Sequence, residues 1–280
     1  MKISQINIFP IKSLDGYSPT TAEVQERGLA FDRRWMIVDN DGMFFTQRTQ
    51  HNMATLRAEI IDNQLIITKK NTKVSIAFDV NQYTNQTMQV VVWDDTVEAN
   101  LVNNEVDAFL TKHLETDCRL VIMLDSSVRR VEEDFNTGED EVSFADGYPF
   151  LIIGENSLND LNTRLESPLN ADNQVLVGLR RFRANFIFSG GKPYEEETWS
   201  DFEIGNVRFS GIKPCGRCVM TTLNPDTGES TGKEPLATLS TYRKFGRKIT
   251  FGQNLIWNKK TWNGSDSAFV NVGDEIKLTK

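Results

Sequence analysis

Trp35-Met36-Ile37-Val38-Asp39-Asn40-Asp41-Gly42-Met43-Phe44-Phe45 is an apolar run, a polar turn and a second apolar run. Asp and Asn side chains bond nearby backbone, and Gly takes positive φ at no steric cost, so the middle four residues favour a chain reversal. The stretch reads as a hairpin. Its neighbours repeat the pattern. Ile3, Ile6 and Ile8 begin a strand. Leu65-Ile66-Ile67, Val74-Ser75-Ile76-Ala77-Phe78 and Val90-Val91-Val92-Trp93 are short apolar runs parted by polar turns. This spacing favours a barrel or sandwich over a doubly wound nucleotide fold.

Helical periodicity is rarer. Leu101, Val102, Val106, Phe109, Leu110 and Leu114 fall on one face, which predicts an amphipathic helix over 101–114. Val121-Ile122-Met123-Leu124 reads as a buried strand. Residues 125–147 are polar and acidic around Arg129-Arg130, so they read as a long loop and the softest place for a domain boundary. Phe150 to Gly154 is a strand. Asn156 or Ser157 can cap a following helix that carries Leu158, Leu161 and Leu165 and stops at Pro168. Ala184 to Phe188 is a strand running into Gly190-Gly191. Phe202-Glu203-Ile204 and Val207-Arg208-Phe209 flank Gly205-Asn206 as a hairpin. Pro235 can start a helix with Leu236, Leu239 and Tyr242. Asn254 to Trp257 and Ile276 to Leu278 close the chain as strands. The expected class is mainly β with a few helices (α+β).

A chain of 280 residues allows one large domain or two modest ones and needs no disulfide staples. Its formal charge of −8 argues against a general nucleic-acid binder. No run of eighteen apolar residues occurs, so no membrane span is expected. The N-terminus lacks a signal peptide's apolar stretch. Three cysteines suit a reducing, cytoplasmic compartment.

Two of those cysteines lie in Lys213-Pro214-Cys215-Gly216-Arg217-Cys218, followed by the rigid turn Asn224-Pro225-Asp226-Thr227-Gly228. Arg217 stands between the thiols, where a cation favours thiolate. In the turn, proline sets the backbone, aspartate can make a local side-chain bond and glycine takes positive φ. Zinc would need about four ligands, and only Cys118, His51 and His113 remain, all distant. A β-rich setting argues against thioredoxin-like exchange. Two reduced, partly buried cysteines are the plain alternative; a thiolate holding a soft metal is the sharper one.

Cations gather elsewhere. In a strand, Arg181 and Arg183 would share one face and Arg180 the other, a fork-bearing set suited to phosphate or to a solvated edge. Asp32-Arg33-Arg34-Trp35 and Pro10-Ile11-Lys12-Ser13 place further cations beside strands. None is glycine-rich like a phosphate loop, which argues against a nucleotide triphosphatase. Glu195-Glu196-Glu197 and Glu132-Glu133-Asp134 read as solvated charge runs. No nucleophile elbow or evident histidine partner supports a hydrolase triad.

Taken together, the motifs resemble the MOSC proteins, and most closely the amidoxime-reducing type with its bacterial relatives that detoxify N-hydroxylated bases. The likeness runs through Phe9-Pro10-Ile11-Lys12-Ser13 and Asp32-Arg33-Arg34-Trp35. It continues through Tyr148-Pro149-Phe150-Leu151 and Phe182-Arg183-Ala184-Asn185, with alanine where the family has proline. Cys215-Gly216-Arg217-Cys218, with glycine where the family has serine, and its Asn-Pro-Asp-Thr-Gly tail complete it. The resemblance implies an N-terminal MOSC-type β-barrel domain over 1–122 and a MOSC β-barrel domain over 123–280. It implies a molybdenum cofactor, a molybdopterin whose metal is held by the sulfur of Cys218, with Cys215 a neighbour. Lys12, Ser13 and Arg33 from the first domain, and Gly147, Arg183 and Asn185 from the second, would bind the cofactor. Asp146 and Tyr148 would stand beside the metal as catalytic candidates, although Gly147 and Tyr148 depart from the hydroxyl residues of some relatives. The implied activity is reduction of small N-oxygenated or N-hydroxylated compounds. A fused iron–sulfur domain would need a four-cysteine pattern that this chain lacks. Electrons are therefore expected from a separate flavin or iron–sulfur protein. A cofactor carrier or sulfur-transfer protein is the alternative. Family likeness also admits pyridoxal phosphate as a ligand.

Overall fold

Trp35–Val38 is buried at every residue and pairs antiparallel with Arg119–Ile122, so its apolar side chains meet core on both faces. The Asp39 carboxylate accepts from the amides of Asp41 and Met43, and Val38 bridges to Phe44, which closes the expected reversal. These contacts come from a computed structural model describing residues 1–132, 139–166, 176–264 and 267–279. The sheet continues from Arg119–Ile122 to Asp95–Leu101 and Thr87–Val92. Leu56–Ile61, Gln64–Lys69 and Ser75–Asp79 form a separate three-stranded meander. Among the described residues the protein is mainly β with three α-helices.

The other half is built on a larger sheet. Its order is Lys2–Ile6, Phe186–Ser189, Phe150–Gly154, Lys248–Trp257, Val207–Gly216, Asp201–Ile204 and Ile276–Leu278. The amide of Ile3 donates to the Asp274 carbonyl at 2.9 Å and that of Ile276 to the Met1 carbonyl at 3.0 Å. The two ends of the sheet thus meet in a nearly closed barrel. Ile3 and Ile6 share its core with Phe186, Phe188, Phe202 and Phe209. The N-terminal strand therefore completes the barrel of the C-terminal half.

Several local expectations change. The helix runs Asn104–Leu114, not from Leu101. Leu101 ends a strand, and the Asn103 side chain accepts from the Val106 amide as N-cap. The next helix, Glu155–Leu165, begins after Gly154 with no side-chain cap. The Ser157 hydroxyl instead donates to the fully buried Glu196 carboxylate at 2.9 Å. Glu195-Glu196-Glu197 is therefore not a solvated run: Glu196 holds Ser157, and Glu197 pairs with Arg243. Leu179–Phe182 is a 3-10 turn and Arg183 is left-handed at φ 55°, so the three arginines do not alternate as in a strand. Pro168, Glu133 and Asp134 lie outside the described residues. No helix among the described residues is long and apolar enough to cross a membrane.

Candidate functional site

A cleft of about 480 Å³ opens between the halves. All nine residues singled out from the sequence line it: Lys12, Ser13, Arg33, Asp146, Gly147, Tyr148, Arg183, Asn185 and Cys218. Nine lysines and arginines face two carboxylates there, so the cleft is cationic in a chain of net charge −8.

Lys12 follows Ile11, which bridges in parallel to Trp35, and its amide donates to the Trp35 carbonyl at 2.9 Å. The buried hairpin strand thus fixes its backbone. Its ammonium donates to the Phe144 carbonyl at 2.7 Å and to Asp146 Oδ1 at 2.6 Å. Burial pulls Lys12 down to about 8, against the opposing pull of Asp146. Burial pushes the Asp146 carboxyl up, but Lys12, then Arg48 and the Trp93 indole N–H, outweigh it and hold Asp146 below the usual range. Asp146 is ionised at neutral pH and exposed toward the cleft.

Arg33 and Arg183 both take left-handed backbone, at φ 50° and 55°, and stack on Phe9 with Cζ 4.4 and 4.2 Å from the ring centroid. Stacking satisfies the guanidinium faces and leaves the N–H edges for bonding. Arg33 donates to Asp32 and to the Arg183 carbonyl, and Arg183 donates to the Leu14 carbonyl at 2.7 Å. Burial, then the proximity of Arg33, pulls Arg183 down to about 10. Asn185, almost fully buried, accepts from the Leu151 amide and donates to the Asn7 carbonyl at 3.2 Å, tying strands together beside the cleft. The Ser13 carbonyl accepts from Gln47.

Tyr148 donates to Glu132 at 3.3 Å, and Lys213 pairs with Glu132 while lying over the Tyr148 ring. Burial pushes the phenol up, so Tyr148 is protonated at neutral pH. A Cβ at Gly147 would meet nothing nearer than Glu132 Oε1 at 4.0 Å, so that position does not require glycine for space.

Cys218 precedes the Val219–Thr222 3-10 turn, and its carbonyl accepts from the Thr221 amide and hydroxyl. Its sulfur accepts from Arg48 Nη2 at 3.2 Å. Arg217 turns away from Cys218 and donates to Cys215 at 2.9 Å and to the Phe182 carbonyl. The intervening cation therefore serves the first cysteine, and a distant one serves the second. In the following turn, Asn224 makes the local bond, accepting from the Asp226 amide at 2.8 Å, rather than Asp226 itself. Asp226 reaches Arg180 at 2.9 Å and Lys70 at 3.5 Å. Arg180 and Lys70 also converge on Asp15, so this turn is tied to the N-terminal half. Arg181 binds the Thr221 and Leu223 carbonyls.

Sequence reading missed Arg48, Trp93 and Arg129. Arg48 stacks on Trp93 with Cζ 4.4 Å from the centroid, and the Trp93 indole donates to Asp146 at 3.2 Å. Buried Arg129 binds the carbonyls of Ser143, Ala145 and Asp146, which fixes the segment bearing Asp146. The positive φ of 57° at Trp93 follows from a turn that the apolar run concealed. Cys118 and His113 lie elsewhere: burial pushes the Cys118 thiol up to about 11, and His113 packs on Phe109. Among the described residues no group of three or more His, Cys, Asp and Glu is arranged to hold a metal ion.

A family model described as the MOSC N-terminal beta barrel domain matches residues 1–117, and one described as the MOSC domain matches residues 139–277. Mitochondrial amidoxime-reducing component 1 of Mus musculus is 32% identical over 99% of this chain and 82% of its own length. The protein of the same name from Homo sapiens is 28% identical over 99% of this chain and 82% of its own length. Molybdenum cofactor sulfurase of Solanum lycopersicum is 31% identical over 98% of this chain, which spans 35% of the sulfurase.

Proposed function

The chain belongs to the family that joins a MOSC N-terminal β-barrel domain to a MOSC domain, and on that premise we propose that it is a molybdenum-cofactor-dependent reductase of N-oxygenated and N-hydroxylated compounds. The observation that carries the reading is the meeting of Cys218 with Lys12, Arg33 and Arg183 around one cationic cleft. In this reading the sequence divides into domains at 1–122 and 123–280, with the Lys2–Ile6 strand lent to the barrel of the second, and neither half holds the site alone.

The donor set fits the cofactor. Cys218 offers a soft sulfur ligand of the kind that molybdenum bound by a dithiolene would accept. Lys12, Arg33 and Arg183 offer charge and forked N–H edges for an anionic pterin, alongside Ser13, Gly147 and Asn185. Arg217, also lining the cleft, has a buried Nε with no partner among the described residues. The cofactor, when bound, supplies the two-electron redox chemistry.

The chain's own groups then position and exclude. Arg48 holds the Cys218 sulfur, and the Trp93 ring stacks on Arg48. Cleavage of an N–O bond to amine and water takes two electrons and two protons. Asp146, ionised beside Lys12, can orient a substrate N–H by accepting a hydrogen bond. Tyr148 brings a protonated phenol to the site, and that group donates to Glu132. Electrons come from a separate flavin or iron–sulfur protein, in the cytoplasm. No general nucleic-acid partner is part of this reading.

A cofactor carrier or sulfur-transfer protein would use the same cleft, and the similarity to the tomato sulfurase favours it. The reductase is preferred because the chain spans 82% of the mouse relative and only 35% of the sulfurase. Pyridoxal phosphate is left out, since Lys12 is already bonded to Asp146 and Phe144. The test is purification from a cofactor-producing host, assay of molybdenum and pterin, and reduction of benzamidoxime with reduced methyl viologen. Cys218→Ala should remove metal-dependent turnover and leave the unfolding transition in place. Cofactor held without turnover of any N-hydroxylated compound would favour the carrier.

A further inference from the structure

Tyr242-Arg243-Lys244-Phe245-Gly246-Arg247-Lys248-Ile249 holds four cations and no acid. Lys244–Phe245 pairs with the start of Lys248–Trp257, so Gly246 and Arg247 form a two-residue turn with Gly246 at φ 59°. All five residues from Lys244 to Lys248 are exposed. Arg243 is paired with Glu197 and stacked on Tyr194 and Phe245. Lys244, Arg247 and Lys248 make no ion pair among the described residues. Phe245 is 57% exposed, and Val219, next to Cys218, is 51% exposed. The Leu236–Tyr242 helix touches both the hairpin and the Val219–Thr222 turn.

The hairpin is coupled to the site. Arg247 and Lys248 line the cleft, and the Arg217 amide donates to the Ile249 carbonyl at 2.7 Å. A body seated on the hairpin therefore abuts the segment that carries Cys215 and Cys218.

We propose that the Lys244–Lys248 hairpin docks an acidic electron-carrier protein that feeds the cleft. The electron-carrier assignment rests on the reductase reading; the acidic surface rests on charge alone. In a chain of net charge −8, unpaired cations on one projecting turn steer an acidic protein to that turn and away from the rest of the surface. An aromatic residue among arginine and lysine is a common interface anchor. A small anion would be met by Arg247 and Lys248 within the cleft, and would leave Lys244 and Phe245, which do not line it, without a role. Each N–O bond cleaved oxidises the carrier by two electrons, delivered singly or as a pair, with protons taken from solvent.

The test uses the full, cofactor-loaded protein and the double variant Lys244→Glu with Phe245→Ser. Two acidic probes are used, a plant-type [2Fe–2S] ferredoxin and a flavodoxin, with reduced methyl viologen as a small donor. The native protein should bind at least one probe by calorimetry, more weakly as salt rises. The variant should bind about tenfold more weakly, a loss in the range of truncated interface anchors. Its protein-driven turnover should fall in parallel, with viologen-driven turnover unchanged. Lys244→Glu alone carries the same expectation should the double variant fail to fold. Binding of neither probe, or equal binding by the variant, overturns the proposal. So does an equal loss of viologen-driven turnover, which would assign the hairpin to the cofactor cleft. A native protein that binds a probe yet turns over nothing with viologen refutes the reductase reading and leaves the docking surface standing.

Discussion

Arg48 donates through Nη2 to the sulfur of Cys218 at 3.2 Å across 170 residues of sequence. Its other contacts, the Trp93 ring at 4.4 Å and the Asp146 carboxylate at 3.9 Å, leave it little freedom. Outer partners of this kind orient a ligand atom, and their removal commonly costs about 10–100-fold in metal affinity or activity. Arg48→Met should lower both the molybdenum-to-protein ratio and turnover by about that factor. Arg48→Lys keeps the charge without the planar fork and should recover only part. Native molybdenum content in Arg48→Met would show that the contact is incidental.

Lys12 gives the cleft a pH limit. Its folded value of about 8 lies below the ordinary 10.5. The unfolded chain therefore holds this proton more tightly between those values, and this residue's contribution to stability rises with pH across the window. Anion binding should move the opposite way, because the ammonium is lost as pH passes about 8. The thermal shift given by inorganic pyrophosphate should shrink between pH 7 and about pH 9.5. Lys12→Met should give a smaller shift at pH 7 and a flatter profile above it.

Asp15 joins Lys70 at 2.8 Å and Arg180 at 2.6 Å. Burial pushes its carboxyl up, but Lys70 and Arg180 outweigh that and hold it below 3.8. A depressed folded value gives stability that is present above the unfolded value and lost as pH falls through the folded one. Asp15→Asn should cost about 1–2 kcal/mol at pH 7, less than a fully buried pair because Arg180 is half-exposed. In urea unfolding the gap between native and variant should close as the acid limb is crossed. A gap that persists there would assign the loss to something other than the carboxylate's charge.

Gly228 closes the Asn224 turn at φ 77°, and a Cβ there would stand 2.0 Å from the His51 carbonyl oxygen. Gly228→Ala forces backbone apart and should cost about 2–4 kcal/mol, from strain and overpacking together. Gly232→Ala is the control. It has a similar φ of 96° with nothing within 4 Å of the added carbon. It should cost about 1 kcal/mol, the left-handed strain alone. Equal losses in chemical unfolding would remove the contact from the explanation.

What was legible in the sequence was local or apolar. The Trp35 to Phe45 reversal, the Gly205-Asn206 hairpin and the helix through Val106, Leu110 and Leu114 follow from turn chemistry and periodicity within one segment. Lys12, Arg33 and Arg183 became legible only through the family pattern, since each cation alone reads equally well as a solvated surface residue; the cysteine pair stood out unaided, and the pattern chose Cys218 from it. Arg48 sits in the polar run Thr46-Gln47-Arg48-Thr49, where nothing local distinguishes it, and its partner is 170 residues away. The Arg180 to Arg183 segment misled because three arginines and a phenylalanine alternate on paper. Carbonyl partners from the Thr221 to Leu223 turn and Leu14 hold it coiled instead. Glu196 read as solvent-facing because its partner, Ser157, reads as a helix cap.

The Lys2–Ile6 strand precedes its partner, Phe186–Ser189, and the Asp274 to Ile276 segment that meets its other edge by about 180 and 270 residues. During synthesis its two isoleucines have no barrel to enter, while the sheet around Trp35–Val38 can already assemble from residues up to Ile122. The barrel can therefore seal only after Ile276 has been made, by which point the sheet around Trp35–Val38 has had all its strands. Seating of this early strand against its late partners is the step that a chaperone would have most time to guard.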